Sequence, residues 1–449
     1  MGRLFGTDGA RGVANTELTC ELAMQIGRAA AMVLIENTHK RPKVMIGRDT
    51  RLSGDMLEAA LAAGLCSVGA DVLILGVIPT PGVAYLVKEY EYDAGIMISA
   101  SHNPYEYNGI KIFQSTGFKL PDNLEEEIEA IILDRARVPE VKVGENVGRV
   151  TFAEHAYKDY IEHLLHTTDY RFNDMKVALD CANGSSSATA RKLFQYLGCE
   201  LTVINDQPDG SNINDNCGST HIEGLQKVVK EQGCDVGFAF DGDADRLIAV
   251  DENGDIVDGD KIIALCAMYM KEKGTLSKDT AVVTVMSNMG FFKFAEENGI
   301  HCEKTKVGDR YVLENMLENG FNIGGEQSGH VIFLDYATTG DGELTAIQIL
   351  QAMKYTGCKL SELASVMNIY PQVLVNVRVS NIGKVRFPED KEVKKAIEEA
   401  EKELGETGRV LVRVSGTEPL VRVMLEGEDK EQIKILAEDI AEVVRERLI

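Results

Sequence analysis

Three times along roughly its first 330 residues the chain repeats one order of elements, and each repeat ends in a polar loop containing glycine. An apolar strand-like run leads to a helical stretch, a second strand, a second helix and a third strand, which then breaks off. Alternating strand and helix periods specify parallel α/β units, because each crossover helix has to pack back on the sheet its strands build. Ligands of such sheets sit beyond the carboxyl ends of the strands, where loop amides and helix amino termini point outward. Three loops of this kind can face one shared cleft.

The first repeat runs from KVMIGRD at Lys43 through a helix in MLEAALAAGL, the run ADVLILG, a helix from Thr80 to Tyr90 and the strand AGIMISA, before SHNPYEYNG. The second runs from KVALD at Lys176 through an Ala/Leu helix capped near Ser186, then CELTVIN, a helix from Ile222 to Glu231 and VGFAF, before DGDADR. The third comprises TAVVTVMS, FFKFAEENG, IHCEKTKV, YVLENMLENG and FNIGGEQSGH. From about Tyr370 the order changes to VLVNVRV, a helix near Asp390 to Leu404, RVLVRVS, LVRVMLEG and a last helix from Lys430 to Leu448, which predicts a small α+β domain. The predicted domains are residues 1–150, 151–255, 256–369 and 370–449; 449 residues at about 150 per domain give about three, with a range of two to four that includes this number.

Charge narrows the partners. With 47 Lys and Arg against 71 Asp and Glu the net charge is −24, which argues against nucleic acid or an anionic membrane surface. The longest uncharged run, Val72 to Val87, contains Pro79 and Pro81 and is too short to span a bilayer. The amino terminus lacks an apolar signal region, so the mature chain is expected to start there. Nine cysteines without a CxxC pair are expected to be reduced thiols in a cytoplasm.

DGDADR places Asp241, Asp243 and Asp245 at alternate positions after an apolar strand. Extended backbone sends alternate side chains the same way, and three converging carboxylates need a cation; hard oxygens favour Mg²⁺. Alone, the motif also reads as a solvated acidic turn. An EF-hand loop is a poorer alternative, because Arg246 stands where the required glycine would be. SASHNP sets Ser101 beside His102 in a loop, without the GxSxG elbow of an acyl hydrolase; an ordinary Asn-Pro turn is the plain alternative. In RVSGTEP, small residues admit an oxyanion while Arg413 and the following Arg422 can fork onto phosphate oxygens, although a hairpin turn has the same look. GEQSGH offers Glu326, Ser328 and His330 for sugar hydroxyls and protons, or forms a solvated turn. Arg11, Lys111, Lys306, Asp309 and Arg310 read singly as solvated charges.

FGTDGARG, GRDTRLSG, SASHNP, DGDADR, GEQSGH and RVSGTEP, in this order over almost the whole chain, together resemble the α-D-phosphohexomutases. The resemblance implies an α/β fold: three repeated α/β domains with mixed sheets plus a smaller C-terminal α+β domain around a central cleft. It implies that Ser101 is phosphorylated and that its phosphate completes a Mg²⁺ site with Asp241, Asp243 and Asp245. Glu326 and Ser328 then contact the sugar, and Lys306, Asp309 and Arg310 are expected to bind the substrate with them. Arg413, Ser415, Gly416, Thr417 and Arg422 bind the phosphate that is not reacting. Arg11 and Lys111 add cations, and His102, Lys111 or His330 serves as acid or base. Ser99 departs from the Thr of many relatives and keeps the hydroxyl.

The implied reaction interconverts glucosamine 6-phosphate and glucosamine 1-phosphate through a 1,6-bisphosphate, feeding amino-sugar nucleotide and cell-wall precursor synthesis. Glucose or mannose phosphates are the rival substrates. A catalytically silent sugar-phosphate sensor and a Mg²⁺ phosphatase are the readings from other classes. The expected partners are the phosphosugar and its bisphosphate, with neither nucleic acid nor membrane, and a homodimer is compatible with the sequence.

Overall fold

In the computed structural model the described residues are 3–6, 8–38, 41–153, 155–415 and 419–449. The chain forms two compact units, Met1–Met286 with Ile300–Val366, and Ser287–Gly299 with Met367–Ile449.

The first unit is built on three sheets of one design. In spatial order the first holds Ala10–Val13, Tyr107–Gln114, Ala94–Ile98, Lys43–Arg48, Asp71–Val77 and Val150–Phe152. Lys43–Arg48 pairs in parallel with both Asp71–Val77 and Ala94–Ile98, and Tyr107–Gln114 returns antiparallel to Ala94–Ile98. The second sheet repeats this with Lys176–Asp180 between Glu200–Ile204 and Val236–Phe240, and with Leu247–Asp251 returning antiparallel. In the third, Thr280–Thr284 lies between His301–Thr305 and Ile323–Gly325, and Val331–Phe333 returns. Each motif loop therefore occupies the same topological place, the turn from the third strand into its antiparallel return. That makes the sheets mixed, because a polar hairpin loop follows where a further crossover helix would have continued a parallel sheet.

The strands are apolar on both faces because helices cover them: every residue of Ala94–Ile98, Val236–Phe240 and Thr280–Thr284 is buried. In the first sheet the helices Cys20–Thr38 and Ser53–Ser67 pack closely, and Gly64 allows it: a Cβ there would lie 2.3 Å from the Met24 carbonyl oxygen. Val150–Phe152 pairs in parallel with Asp71–Val77, so the first sheet extends to residue 152. The predicted Ala/Leu helix of the second repeat is split into a 3₁₀ turn, Ser185–Ala188, and a helix, Ala190–Tyr196.

Helix Asp122–Leu133 ties down the amino-terminal segment, since Glu129 accepts the amides of Arg3, Leu4 and Phe5 at 2.9, 2.7 and 2.7 Å. One turn earlier Glu125 has its carboxyl pushed up to about 7, chiefly by burial and then by Glu129, with Lys119 opposing. Its folded value lies above its unfolded one, so its contribution to stability is complete below the unfolded value and is lost as pH rises through about 7. Glu125→Gln is therefore expected to match the parent in urea midpoint near pH 4.5. At pH 8 it should exceed the parent by on the order of 1 kcal/mol.

The second unit is a three-stranded antiparallel sheet in the order Gln372–Arg378, Leu420–Gly427, Gly408–Val414, with helices Lys391–Leu404 and Lys430–Leu448. Asp390 and Asp429 cap those helices by accepting amides of their first turns. Helix Met289–Glu297 belongs here too, although the repeat pattern predicts it as part of the third domain. Its start is held by Glu426, which accepts the Met289 amide at 2.9 Å and the Arg409 guanidinium at 2.6 Å.

Candidate active site

In the first unit the three motif loops meet. Ser101 follows strand Ala94–Ile98 in left-handed backbone, φ 55°, and its hydroxyl donates to Asp241 Oδ2 at 2.5 Å. The approach requires a glycine: a Cβ on Gly242 would lie 2.4 Å from the Ser101 carbonyl oxygen. Asp241, Asp243 and Asp245 are buried, with ligand oxygens all within 4.8 Å of one another.

Asp243 Oδ2 accepts from Thr80 Oγ1 at 2.6 Å and from Lys111 Nζ at 2.7 Å, and Lys111 reaches Asp245 Oδ2 at 3.3 Å. The other oxygens, Asp243 Oδ1 and Asp245 Oδ1, are buried without a hydrogen-bond partner. Two anionic oxygens without hydrogen bonds, Asp245 Oδ1 having only His330 and Arg246 at 3.7 and 3.9 Å, beside a third carboxylate are what a divalent cation fits. Burial and the charges of Asp243 and Asp245 push Asp241 up to about 8, as expected of like charges short of a counter-ion. The chain thus holds a divalent-metal site.

Arg11, Arg246 and Lys111 are held in the same cluster by Asp8, His102 and the triad. Arg11 reaches Asp8 at 3.4 Å, while its Nε and Nη2 are buried without hydrogen-bond partners, as is Arg246 Nε. Arg246 Nη1 donates to His102 Nδ1 at 3.2 Å, and that nitrogen lies 3.5 Å from Ser101 Oγ. Burial, then Arg246 and Arg11, hold His102 down to about 4, so the ring is neutral near pH 7. Burial works against the charge on Lys111, but Asp243, Asp245 and Asp8 keep it protonated. Guanidinium donors left without a hydrogen bond, beside His102 and the triad, suit a bound anion.

The third loop closes against the second. The Leu247 amide donates to the Gly329 carbonyl at 3.0 Å, and Glu326 accepts the Gly308 amide at 3.0 Å. His330 sits 3.7 Å from Asp245 and 3.5 Å from Asp309. The Gly340 amide donates to its Nε2 at 3.0 Å, so the ring carries its proton on Nδ1, facing Asp245. Glu326 is half-buried, its carboxyl raised by burial, and Ser328 is exposed at the loop tip.

Lys306 is exposed with Nζ 5.6 Å from the Tyr311 ring centroid, and Arg310 pairs with Asp122 and with Glu314. Asp309 instead faces inward, to His330 and Lys119. In the second unit Arg413 and Arg422 are direct cross-strand partners. Like charges so placed repel, and burial followed by Arg422 lowers the Arg413 pKa. Ser415 is buried beside them, and Gly416 and Thr417 lie outside the described residues. Arg413→Ala is expected to raise KM by about 10- to 100-fold for every phosphosugar alike, the worth of a charge-assisted phosphate contact. Steady-state kinetics on several sugars checks it; an unchanged KM would show that this loop does not hold the phosphate.

Sequence reasoning passed over Asp8, Lys119, Thr80 and Asn214. Lys119 pairs with Asp309 and Asp8, and Asn214 donates to the Ser101 carbonyl at 2.9 Å. Arg246 was visible inside DGDADR, and its basic character among three aspartates was the available signal.

Four family models match, described as phosphoglucomutase/phosphomannomutase, alpha/beta/alpha domains I, II and III and C-terminal domain, over residues 2–138, 156–254, 258–370 and 374–443. Phosphoglucosamine mutase of Acetivibrio thermocellus is 57% identical over 448 residues, covering 100% of both chains. A solved phosphoglucomutase/phosphomannomutase family protein from Burkholderia thailandensis has a TM-score of 0.79 at 24% identity, covering 100% of this chain and 99% of its own. Aspergillus fumigatus N-acetylphosphoglucosamine mutase, solved in complex with GlcNAc-6P and magnesium, has a TM-score of 0.68 at 18% identity, covering 100% and 96%.

Proposed function

Because the chain belongs to the phosphoglucomutase/phosphomannomutase family and is thus an isomerase that moves a phosphoryl group within its substrate, we propose that it interconverts glucosamine 6-phosphate and glucosamine 1-phosphate through phosphorylated Ser101. The observation that carries this is the buried Ser101 hydroxyl, 2.5 Å from Asp241 Oδ2 in the aspartate triad, with Arg246 reaching His102 beside it at 3.2 Å. The sugar is supported by the full-length relative at 57% identity. Glucose and mannose phosphates remain the alternative.

In this reading Ser101 Oγ carries the phosphoryl group. The bond from Oγ to phosphorus breaks as a bond to the sugar's 1-oxygen forms, and the hydroxyl proton leaves to a base. The resulting 1,6-bisphosphate turns over and returns its 6-phosphate to Ser101. Asp241, Asp243 and Asp245 would hold Mg²⁺, which supplies neutralisation of charge on the transferring group. Arg11 and Arg246 bind the phosphoryl oxygens and orient them. Lys111, protonated against Asp243 and Asp245, acts as a cation or an acid in this state rather than as a base. Glu326 and Ser328 grip sugar hydroxyls, and Arg413 with Arg422 holds the distal phosphate.

No helix among the described residues is long and apolar enough to cross a membrane. We place the enzyme in the cytoplasm, supported by nine free cysteines. The deciding measurement for the sugar is kcat/KM with glucosamine 6-phosphate against glucose and mannose phosphates on one phosphorylated preparation. A preference of about 10-fold or more for the amino sugar is expected, the discrimination a pocket reaches on one functional group. Equal or higher values for the neutral sugars would move the chain to the alternative.

A further inference from the structure

We infer that Asp49, Arg51 and Ser99 are positioning residues whose side chains close a ring around the backbone of Ser101 and so aim its oxygen. The inference rests on the phosphoserine reading above. Ser101 has its amide donating to Ser99 Oγ at 3.0 Å, and Ser99 Oγ donates to Asp49 Oδ2 at 2.5 Å. Arg51 Nε donates to the same Oδ2 at 2.9 Å, and Arg51 Nη2 donates to the Ser101 carbonyl at 2.9 Å. The ring thus starts at the N–H of Ser101 and ends at its C=O, and no member of it touches the aspartate triad through a hydrogen bond. Arg51 further binds the carbonyls of Asn103, at 2.8 Å, and Pro104.

Sheet register brings the members together. Arg48 and Ile98 are cross-strand partners, so Asp49 and Ser99 leave adjacent strand ends side by side, and the Asp49 amide bonds the Ile98 carbonyl at 3.1 Å. All three side chains are sealed from solvent: Asp49 and Ser99 at 0% and Arg51 at 1% exposure. A buried ion pair is costly to assemble, and one spent on loop carbonyls calls for a purpose. A non-glycine residue in left-handed backbone is also strained, and persists only where its surroundings over-determine it. Ser101 is such a residue. Its Oγ direction depends on that backbone, so loosening the ring misplaces the reacting oxygen without removing a group that binds sugar or phosphate.

The test compares Ser99→Ala, Ser99→Thr and Arg51→Lys, each charged with glucose 1,6-bisphosphate. Kinetics with glucosamine 6-phosphate is read alongside the ³¹P resonance of the phosphoserine and intact-mass mapping of the phosphate. Ser99→Ala and Arg51→Lys should lower kcat by about 100-fold, the scale of a 1 Å misplacement, with KM moving less than about 3-fold. Both should shift the ³¹P resonance. Ser99→Thr restores the hydroxyl and should hold kcat within about 2-fold of the parent with an unshifted resonance. If Arg51→Lys fails to fold, the Ser99 pair still decides. Phosphate mapped to Ser101 with parental kcat and resonance in Ser99→Ala, or an equal fall in Ser99→Ala and Ser99→Thr, overturns the ring while leaving the phosphoserine standing. Phosphate mapped to another residue overturns both.

Discussion

Ser101→Ala lowers turnover by at least about 10⁴-fold in either direction, the scale seen when a covalent nucleophile is deleted. Its hydroxyl is the oxygen that the site brings to Asp241, and no other hydroxyl is hydrogen-bonded to that carboxylate among the described residues. The protein should remain folded. The contacts that shape the loop run to the backbone of Ser101, through Arg51, Asn214 and Ser99, and alanine keeps all of them. Alanine in the left-handed region is strained to the same degree as serine, so no new backbone cost arises. Steady-state rates, circular dichroism and intact mass on the same preparation check this. An active Ser101→Ala enzyme, or phosphate carried by another residue, would sink the assignment.

What could be read in advance followed from contiguity. DGDADR and SASHNP each place their reacting groups within a few residues, and the repeat order places both loops at the same turn of equivalent sheets. The return strand after each loop was harder to see, because its apolar run looks like any other strand while its direction is decided by pairing alone. The partners of the motif residues lay further off. Thr80 and Asp243 are 163 positions apart, and Lys119 and Asp309 are 190 apart; neither pair has a local signal. Helix Met289–Glu297 shows why periodicity stops short of architecture: its apolar stripe announces an amphipathic helix but not which sheet will cover it, and Glu426 settles that from the far end of the sequence. The same limit applies to Arg310, which sits one residue from the inward-facing Asp309 yet turns to Asp122 and Glu314.

Asp241→Asn should weaken Mg²⁺ binding and at the same time stabilise the metal-free protein, and the opposite signs are what separate a metal site from an acidic turn. Within the metal-free triad Asp241 is the disfavoured carboxylate: burial comes first in raising it to about 8, and the charges of Asp243 and Asp245 add to it, whereas against burial Lys111 and His330 hold Asp245 well below the usual carboxylate range. Lys111 offsets part of this by pairing with Asp243 and Asp245, and the Ser101 hydroxyl donates to Asp241, but Asp243 Oδ1 has no hydrogen-bond partner and Asp245 Oδ1 has only His330 and Arg246 at 3.7 and 3.9 Å. Asparagine never ionises, so it escapes the cost of holding a buried carboxyl protonated near neutral pH, while its carbonyl oxygen can still accept from Ser101 or from the Arg246 amide, which lies 3.2 Å from Asp241 Oδ1. The metal-free melting temperature should therefore rise by roughly 1–2 °C, the shift for about 1 kcal/mol in a unit of about 350 residues. The cation loses one of three carboxylate ligands. Since even outer partners of metal ligands cost 10- to 100-fold in affinity, calorimetric Mg²⁺ affinity should fall by about 100-fold or more. Turnover of the parent should vanish in excess chelator and return with Mg²⁺, while the variant responds only at far higher metal concentration. Full activity of the parent in excess chelator, or unchanged Mg²⁺ affinity in Asp241→Asn, would remove the metal from the triad and leave its repulsion to Lys111 and a shared proton.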